Sequence, residues 1–268
     1  MNLEAKVAEI VGIKYKSPKV RPIPLLTFAV LSKLDHLLHK TETRGSLPSE
    51  GSAFVVINHT SMWDIAKGYD ISVKSAGRIM LGIARETLLN PDLVESVVVL
   101  ERTGKKNDPL TKAPKLLRRF ISYVLHDTSI PIPRGAQSLS SLRPTLRATT
   151  KALNEGHIVG IFAQETRSPD FRDIKDGPAF LANLNPDVPI YPVAIFKEQG
   201  RHIVSIGQGF SANQARLDPS FRTDLDQVTA LTVYIADGIA NLMPDLQRND
   251  WHNMRKQEYL QAKITPKK

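Results

Sequence analysis

Two hydrophobic periods alternate along this chain. Short runs rich in β-branched residues read as buried strands at Ala53–Ile57, Ser96–Leu100, Ser129–Ile132, Ile158–Phe162, Ile190–Ile195 and His202–Ile206. Between and after them, longer stretches with helical spacing predict helices over Ser61–Ser72, Lys112–His126, Leu139–Asn154, Pro178–Leu184 and Asp224–Asn241. This alternation predicts an α/β domain over residues 46–245, with a central, largely parallel mixed sheet flanked by helices. Ligands of such sheets sit at the carboxyl ends of the strands, so the segments just after the strands are where chemistry is sought.

The ends of the chain follow other patterns. Over residues 1–45, Leu3, Val7, Ile10 and Val11 share one helical face. Pro18, Pro22 and Pro24 then break the chain, and Leu25, Phe28, Leu31, Leu34 and Leu38 set up a second helix. With Lys14, Lys16, Lys19, Arg21 and Lys33 nearby, this N-terminal two-helix appendage suits either a hairpin packed on the core or an interfacial membrane foot. Residues 246–268 are polar and basic and are expected to fray.

Composition narrows the function classes. A chain of 268 residues buries roughly three quarters of its unfolded surface and needs no covalent staples. It has no cysteine, which removes a thiol nucleophile, a thiolate-ligated metal and a disulfide framework, and fits a reducing compartment. The net charge of +9 attracts anions of many kinds. Seven basic residues between Arg102 and Arg119 face Asp108 alone, which suits a solvated helix face or a patch on anionic lipid head groups. No run approaches the roughly 20 apolar residues of a spanning helix. Ile23–Leu38 comes nearest, interrupted by Lys33, Asp35 and His36, and no cleavable signal is visible. The expectation is a cytoplasmic protein, peripheral on the inner face of the membrane. Aromatic content of 6% and the lack of a recognised binding module argue against nucleic acid as a partner.

The richest segment is Asn58-His59-Thr60-Ser61-Met62-Trp63-Asp64, directly after the first long strand. Ser61 reads as a helix N-cap, with Asp64 three residues on in the capping-box position. A carboxylate on the Nδ1–H of His59 would fix the tautomer and leave Nε2 free to take a proton from a hydroxyl. A loop residue beside a capping carboxylate has the same spacing. Three further segments stand after or on predicted strands: Ile130-Pro131-Ile132-Pro133-Arg134-Gly135, Phe162-Ala163-Gln164-Glu165-Thr166-Arg167-Ser168, and Val188-Pro189-Ile190-Tyr191-Pro192-Val193. An arginine just beyond a strand is placed to fork onto a phosphate. His36 and His39 share a helical face without a third ligand, so no metal site is expected. Gly207-Gln208-Gly209 imitates a dinucleotide loop but lacks a following strand and acidic partner.

In this order the four segments resemble the blocks of the glycerolipid acyltransferase superfamily, especially the 1-acylglycerol-3-phosphate acyltransferases. Asn58, His59 and Asp64 match the first block, Arg134 the end of the second, Phe162, Thr166, Arg167 and Ser168 the third, and Val188, Pro189, Ile190, Pro192 and Val193 the fourth. Arg85-Glu86 and Lys175-Asp176-Gly177 echo smaller features, and the resemblance spans about Ala53 to Gly209. It implies transfer of a fatty acyl group from acyl-CoA or acyl-carrier protein to a lysophospholipid hydroxyl. His59 would be the base and Asp64 its holder, Arg134, Gln164, Glu165, Thr166 and Arg167 would bind the phosphate-bearing acceptor, and no cofactor beyond the acyl donor would be needed. The third block departs from the family pattern, with Ala163 for Pro, Gln164 for Glu and Glu165 for Gly. Either Glu165 takes over the carboxylate's role or the acceptor pocket has changed. An altered block also fits a lipid-binding or scaffolding module that keeps the fold and has lost the catalysis.

Overall fold

The computed structural model describes residues 40–61, 64–85, 125–133, 139–168 and 170–264. The N-terminal appendage up to residue 39, the strand at Ser96–Leu100, the basic stretch Arg102–Arg119 and Arg134 lie outside them. So do Glu86 and all of the Lys112–His126 helix except Leu125 and His126, which are helical.

The described residues form an α/β fold around one mixed seven-stranded sheet. Its strands are β1 (Glu42–Arg44), β2 (Ala53–Ile57), β3 (Met80–Arg85), β4 (Ser129–Ile132), β5 (Ile158–Phe162), β6 (Ile190–Glu198) and β7 (Arg201–Ile206), in the order β1-β7-β6-β2-β5-β3-β4. From β6 to β4 all neighbours are parallel, while β7 runs antiparallel to β6 and carries β1 parallel to itself. The β6–β7 connection is tight because Gln199 (φ 47°) and Gly200 (φ 76°) both take left-handed backbone conformations, the pattern of a two-residue hairpin turn that follows strand twist.

The central strand β2 is buried along its whole length, and its alternate side chains feed two separate cores. Ala53, Val55 and Ile57 pack with Met80 and with Ile71 and Ala76 of helix α1 (Asp64–Ala76). Phe54 and Val56 pack on the other face with helices α2 (Leu139–Asn154), α3 (Gly177–Leu184) and α5 (Gln227–Ala240), through residues such as Leu153, Ala179, Leu231 and Ile235. The short helix α4 (Ala212–Leu217) is closed at its start by a complete Ser211–Gln214 capping box. Thus the chain leaves β2 toward one face of the sheet and leaves β5, the neighbour of β2, toward the other. The two connections part at the carboxyl edge between these strands, the place where open α/β sheets bind ligands.

Three local expectations change. β3 and β1 were not expected from the sequence. Met80–Arg85 contains Gly82 and Ala84, which carry little strand propensity, yet it is paired on both sides, to β4 and β5. Gly160 of β5 makes room for it: a Cβ there would sit 2.4 Å from Met80 Sδ. Helix α1 begins at Asp64 rather than Ser61 and runs on to Ala76. The C-terminal stretch, expected to fray, is ordered through Ile264 as helix α6 (Asp245–Asp250), a π turn (Trp251–Arg255) and helix α7 (Lys256–Ile264). Trp251, 1% exposed, is part of the larger core, which explains why a polar segment holds its shape.

Candidate active site

The site begins where β2 ends. Asn58 is buried, and its amide spans to β6, donating to Ile195 O (2.9 Å) and accepting from Ile195 N–H (2.6 Å). Both of its polar ends are therefore used in bridging the strands, and the chain leaves the sheet at a fixed angle. His59 follows. Its ring lies flat on Phe162, the last residue of β5, with centroids 4.0 Å apart and planes 14° apart.

Asp64, fully buried, sits 3.0 Å from His59 Nδ1 through Oδ2. The same oxygen accepts from Thr60 N–H (2.5 Å) and Ser61 N–H (2.7 Å), while Oδ1 accepts from the Ser61 hydroxyl (2.9 Å). Burial pushes this carboxyl up, but the bonds from His59 and Ser61 outweigh burial and hold it below the usual carboxylate range. Asp64 is thus ionised, so the proton on the His59–Asp64 contact belongs to Nδ1. Nε2 is left as the basic nitrogen on a ring that keeps 13% side-chain exposure. Ser61 differs from the capping-box expectation, because its hydroxyl donates to Asp64 and does not receive the Asp64 backbone N–H.

The loop after β5 closes over His59 from the other side. Gln164 is 2% exposed. Its Oε1 accepts the His59 N–H (2.9 Å), and its Nε2 donates to Asp170 O (3.1 Å). The Ser168 N–H donates to His59 O (2.9 Å), so both backbone polar groups of His59 are held by this one loop. At its base the loop is pinned by the Gln164–Ile174 bridge and by the Lys175 N–H on Ala163 O (2.9 Å).

The structure therefore separates the residues that the sequence grouped. His59 and Asp64 are in contact. Gln164 has both ends of its amide engaged within the protein and acts on the backbone that carries His59. Glu165 and Thr166 are exposed, and Glu165 forms a surface pair with Lys175 at 3.5 Å. Of the two neighbouring residues, Gln164 is the buried one and Glu165 the exposed one. Arg167 is half-buried, one residue before the Ser168 bond to His59. Arg134 lies outside the described residues.

What sequence reasoning missed here is the role of Phe162 as the platform for the imidazole and of Ser168 as a backbone donor to His59. Phe162 carried a signal, an aromatic residue at the end of the neighbouring strand. The Ser168 bond comes from main-chain atoms and left none. Among the described residues, no group of three or more His, Asp or Glu side chains gathers to hold a metal ion. Gly207 and Gly209 are closely packed against β6: a Cβ on Gly209 would meet the Tyr191 ring at 2.6 Å, and one on Gly207 would meet Pro192 at 2.8 Å. A small cavity of about 10 Å³, partly open to solvent, lies behind the loop between Val56, Ala163, Ile174, Ala179, Thr232 and Ile235, and His59 is not among its lining residues. No helix among the described residues is long and apolar enough to cross a membrane. Neither known protein-family models nor curated proteins give a match to this chain.

Proposed function

We propose that this protein is an O-acyltransferase that moves a fatty acyl group from a CoA or carrier-protein thioester to the hydroxyl of a phosphate-bearing lysophospholipid. The observation that carries the reading is the 3.0 Å contact between His59 Nδ1 and a buried, ionised Asp64 at the carboxyl edge of a parallel sheet. The order of the sequence blocks supports it. In this reading Nε2 of His59 takes the proton of the acceptor hydroxyl, and Asp64 stabilises the imidazolium that results. The acceptor oxygen attacks the thioester carbonyl, the new C–O bond forms, and the C–S bond breaks. The proton on His59 then passes to the departing thiolate. The guanidinium groups of Arg167 and Arg134 bind the acceptor phosphate, and the protein works at an anionic membrane surface on the cytoplasmic side.

The test uses purified full-length protein with labelled acyl-CoA or acyl-carrier protein and lysophosphatidate. Diacyl product should form, and His59→Ala should lower the rate by about 10²–10⁴. An unchanged rate in that variant refutes the mechanism. The rival reading, a lipid-binding module that keeps the fold without catalysis, is motivated by the altered third block. It predicts liposome binding that survives His59→Ala and no turnover of any thioester.

A further inference from the structure

The loop over residues 163–176 is held on two sides. Its inner side grips His59 through Gln164 and Ser168. Its outer side is gripped by the C-terminal helices at two points. Phe171, 4% exposed, packs its ring 5.3 Å from that of Trp251, at an angle of 53°. Trp251 is itself fixed, because its Nε1–H donates to Asp237 Oδ1 of α5 (2.7 Å), whose other oxygen accepts from Lys256 Nζ (2.7 Å). At the end of the loop, Asp176 occupies the N-cap position of α3 but makes no side-chain cap there. Its carboxylate turns instead to α7, accepting from the Tyr259 hydroxyl (2.5 Å) and from Lys263 Nζ, with Thr232 Oγ1 at 3.4 Å. A carboxylate at that position ordinarily serves its own helix, so its use on a distant one is what needs explaining.

We propose that the C-terminal helices set the position of the 163–176 loop against His59, with Trp251, Tyr259 and Lys263 as positioning residues. The effect on rate rests on the acyltransferase reading, whereas the effect on the loop does not. The loop supplies both backbone partners of His59 and is tied to the sheet only at its base among the described residues, by the Gln164–Ile174 bridge, the Lys175 N–H on Ala163 O and the Ala163 N–H on Ile57 O, with Ala163 and Ile174 in the core. Phe171 and Asp176 are its outward anchors, and both end on one C-terminal segment. If those anchors are released, the sheet keeps its cores while the hydrogen bonds to His59 open more often. A small displacement of a catalytic base lowers turnover far more than substrate affinity.

The experiment uses the full chain with the double substitution Tyr259→Phe and Lys263→Met, which leaves Trp251 in the core. Truncation before Asp245 is unsuitable because it removes Trp251 and can unfold the domain. Amide hydrogen exchange is read at the His59 N–H that the loop accepts, at Ser168 and Lys175 on the loop, and at Val55, Val56 and Val159 in the strands. The expected result is exchange about tenfold faster at the loop amides, with the strand amides within about twofold of wild type. Lys263→Arg, which keeps the cation, should exchange like wild type. If the reaction is acyl transfer, kcat of the double variant falls by about tenfold or more while KM for the donor stays near wild type. Unchanged loop amides overturn the proposal, and so does an equal rise in loop and strand amides, since that would be loss of global stability alone. The predicted exchange pattern in a protein with no thioester turnover supports the bracing and removes the acyltransferase reading.

Discussion

Gln164→Glu tests the site most sharply, because it converts this chain toward the pattern its third block departs from. In the wild type the buried amide accepts the His59 N–H at 2.9 Å and donates to Asp170 O at 3.1 Å. The substitution keeps the acceptor but replaces the donor with a second oxygen that faces a carbonyl. An ionised carboxylate there loses one hydrogen bond and is desolvated beside a like partial charge, a cost of about 1–3 kcal/mol. When the introduced carboxyl is protonated, its O–H can donate to Asp170 O, and most of that cost disappears. At about 1.36 kcal/mol per pKa unit, its folded-state pKa should rise by about one to two units above the ordinary value near 4.3. A raised folded-state pKa means that the native state binds more protons than the unfolded chain in this window, so stability falls as pH rises. The penalty relative to wild type should thus be small at about pH 4, grow between about pH 4 and 6.5, and reach its full size above that. Urea denaturation of both proteins at pH 4 and pH 8 measures it. An equal penalty at the two pH values refutes the two-sided role of Gln164, and a penalty that shrinks with rising pH would place a cation against it instead.

Other perturbations have equally definite outcomes. Asp64→Asn puts an NH2 group against donors now satisfied by a carboxylate and should cost roughly 3 kcal/mol at neutral pH by urea denaturation. Because Asp64 has a lowered folded-state pKa, its stabilisation is present above the ordinary carboxyl value and is lost as pH falls through the folded one. That part of the acid-side decline should be missing from the variant, and an identical acid limb in both proteins would contradict the assignment. Asn58→Leu leaves the N–H and C=O of Ile195 buried without partners and should also cost about 3 kcal/mol, which a urea midpoint shift below a third of that would contradict. Asp226→Ala removes the side chain that accepts from the Val228 and Thr229 N–H groups at the start of α5, and thermal unfolding should register a loss of about 1 kcal/mol.

Much of the fold was legible because it depends on local pattern. β2, β4 and β5 lie within runs of apolar and β-branched residues bounded by turns, and their observed ends match the runs. α2 carries a clear helical period despite Pro144 and spans the expected residues. The pairing of His59 with Asp64 was legible for a similar reason: the two are close in sequence, and a strand followed by a helix leaves few ways to arrange them.

What was not legible depends on residues far apart in the chain. Gln164 looked like a damaged motif position, and only its contact with His59, 105 residues away, shows it as a buried amide with two partners. β3 has weak strand propensity and forms because β4 and β5 supply its hydrogen bonds and Gly160 makes space for Met80. The C-terminal helices are too polar and too short to stand alone, and they are held by Trp251 in the core and by Asp176 and Asp237 outside their own segment. By itself, then, the amino-acid order determined which stretches bury a face and which imidazole has a carboxylate within reach, because those follow from periodicity and short-range spacing. Which loop grips that imidazole, and which distant helix steadies the loop, were decided only when the chain was packed, because hydrogen bonds between remote backbone and side-chain groups leave no periodic trace in a sequence.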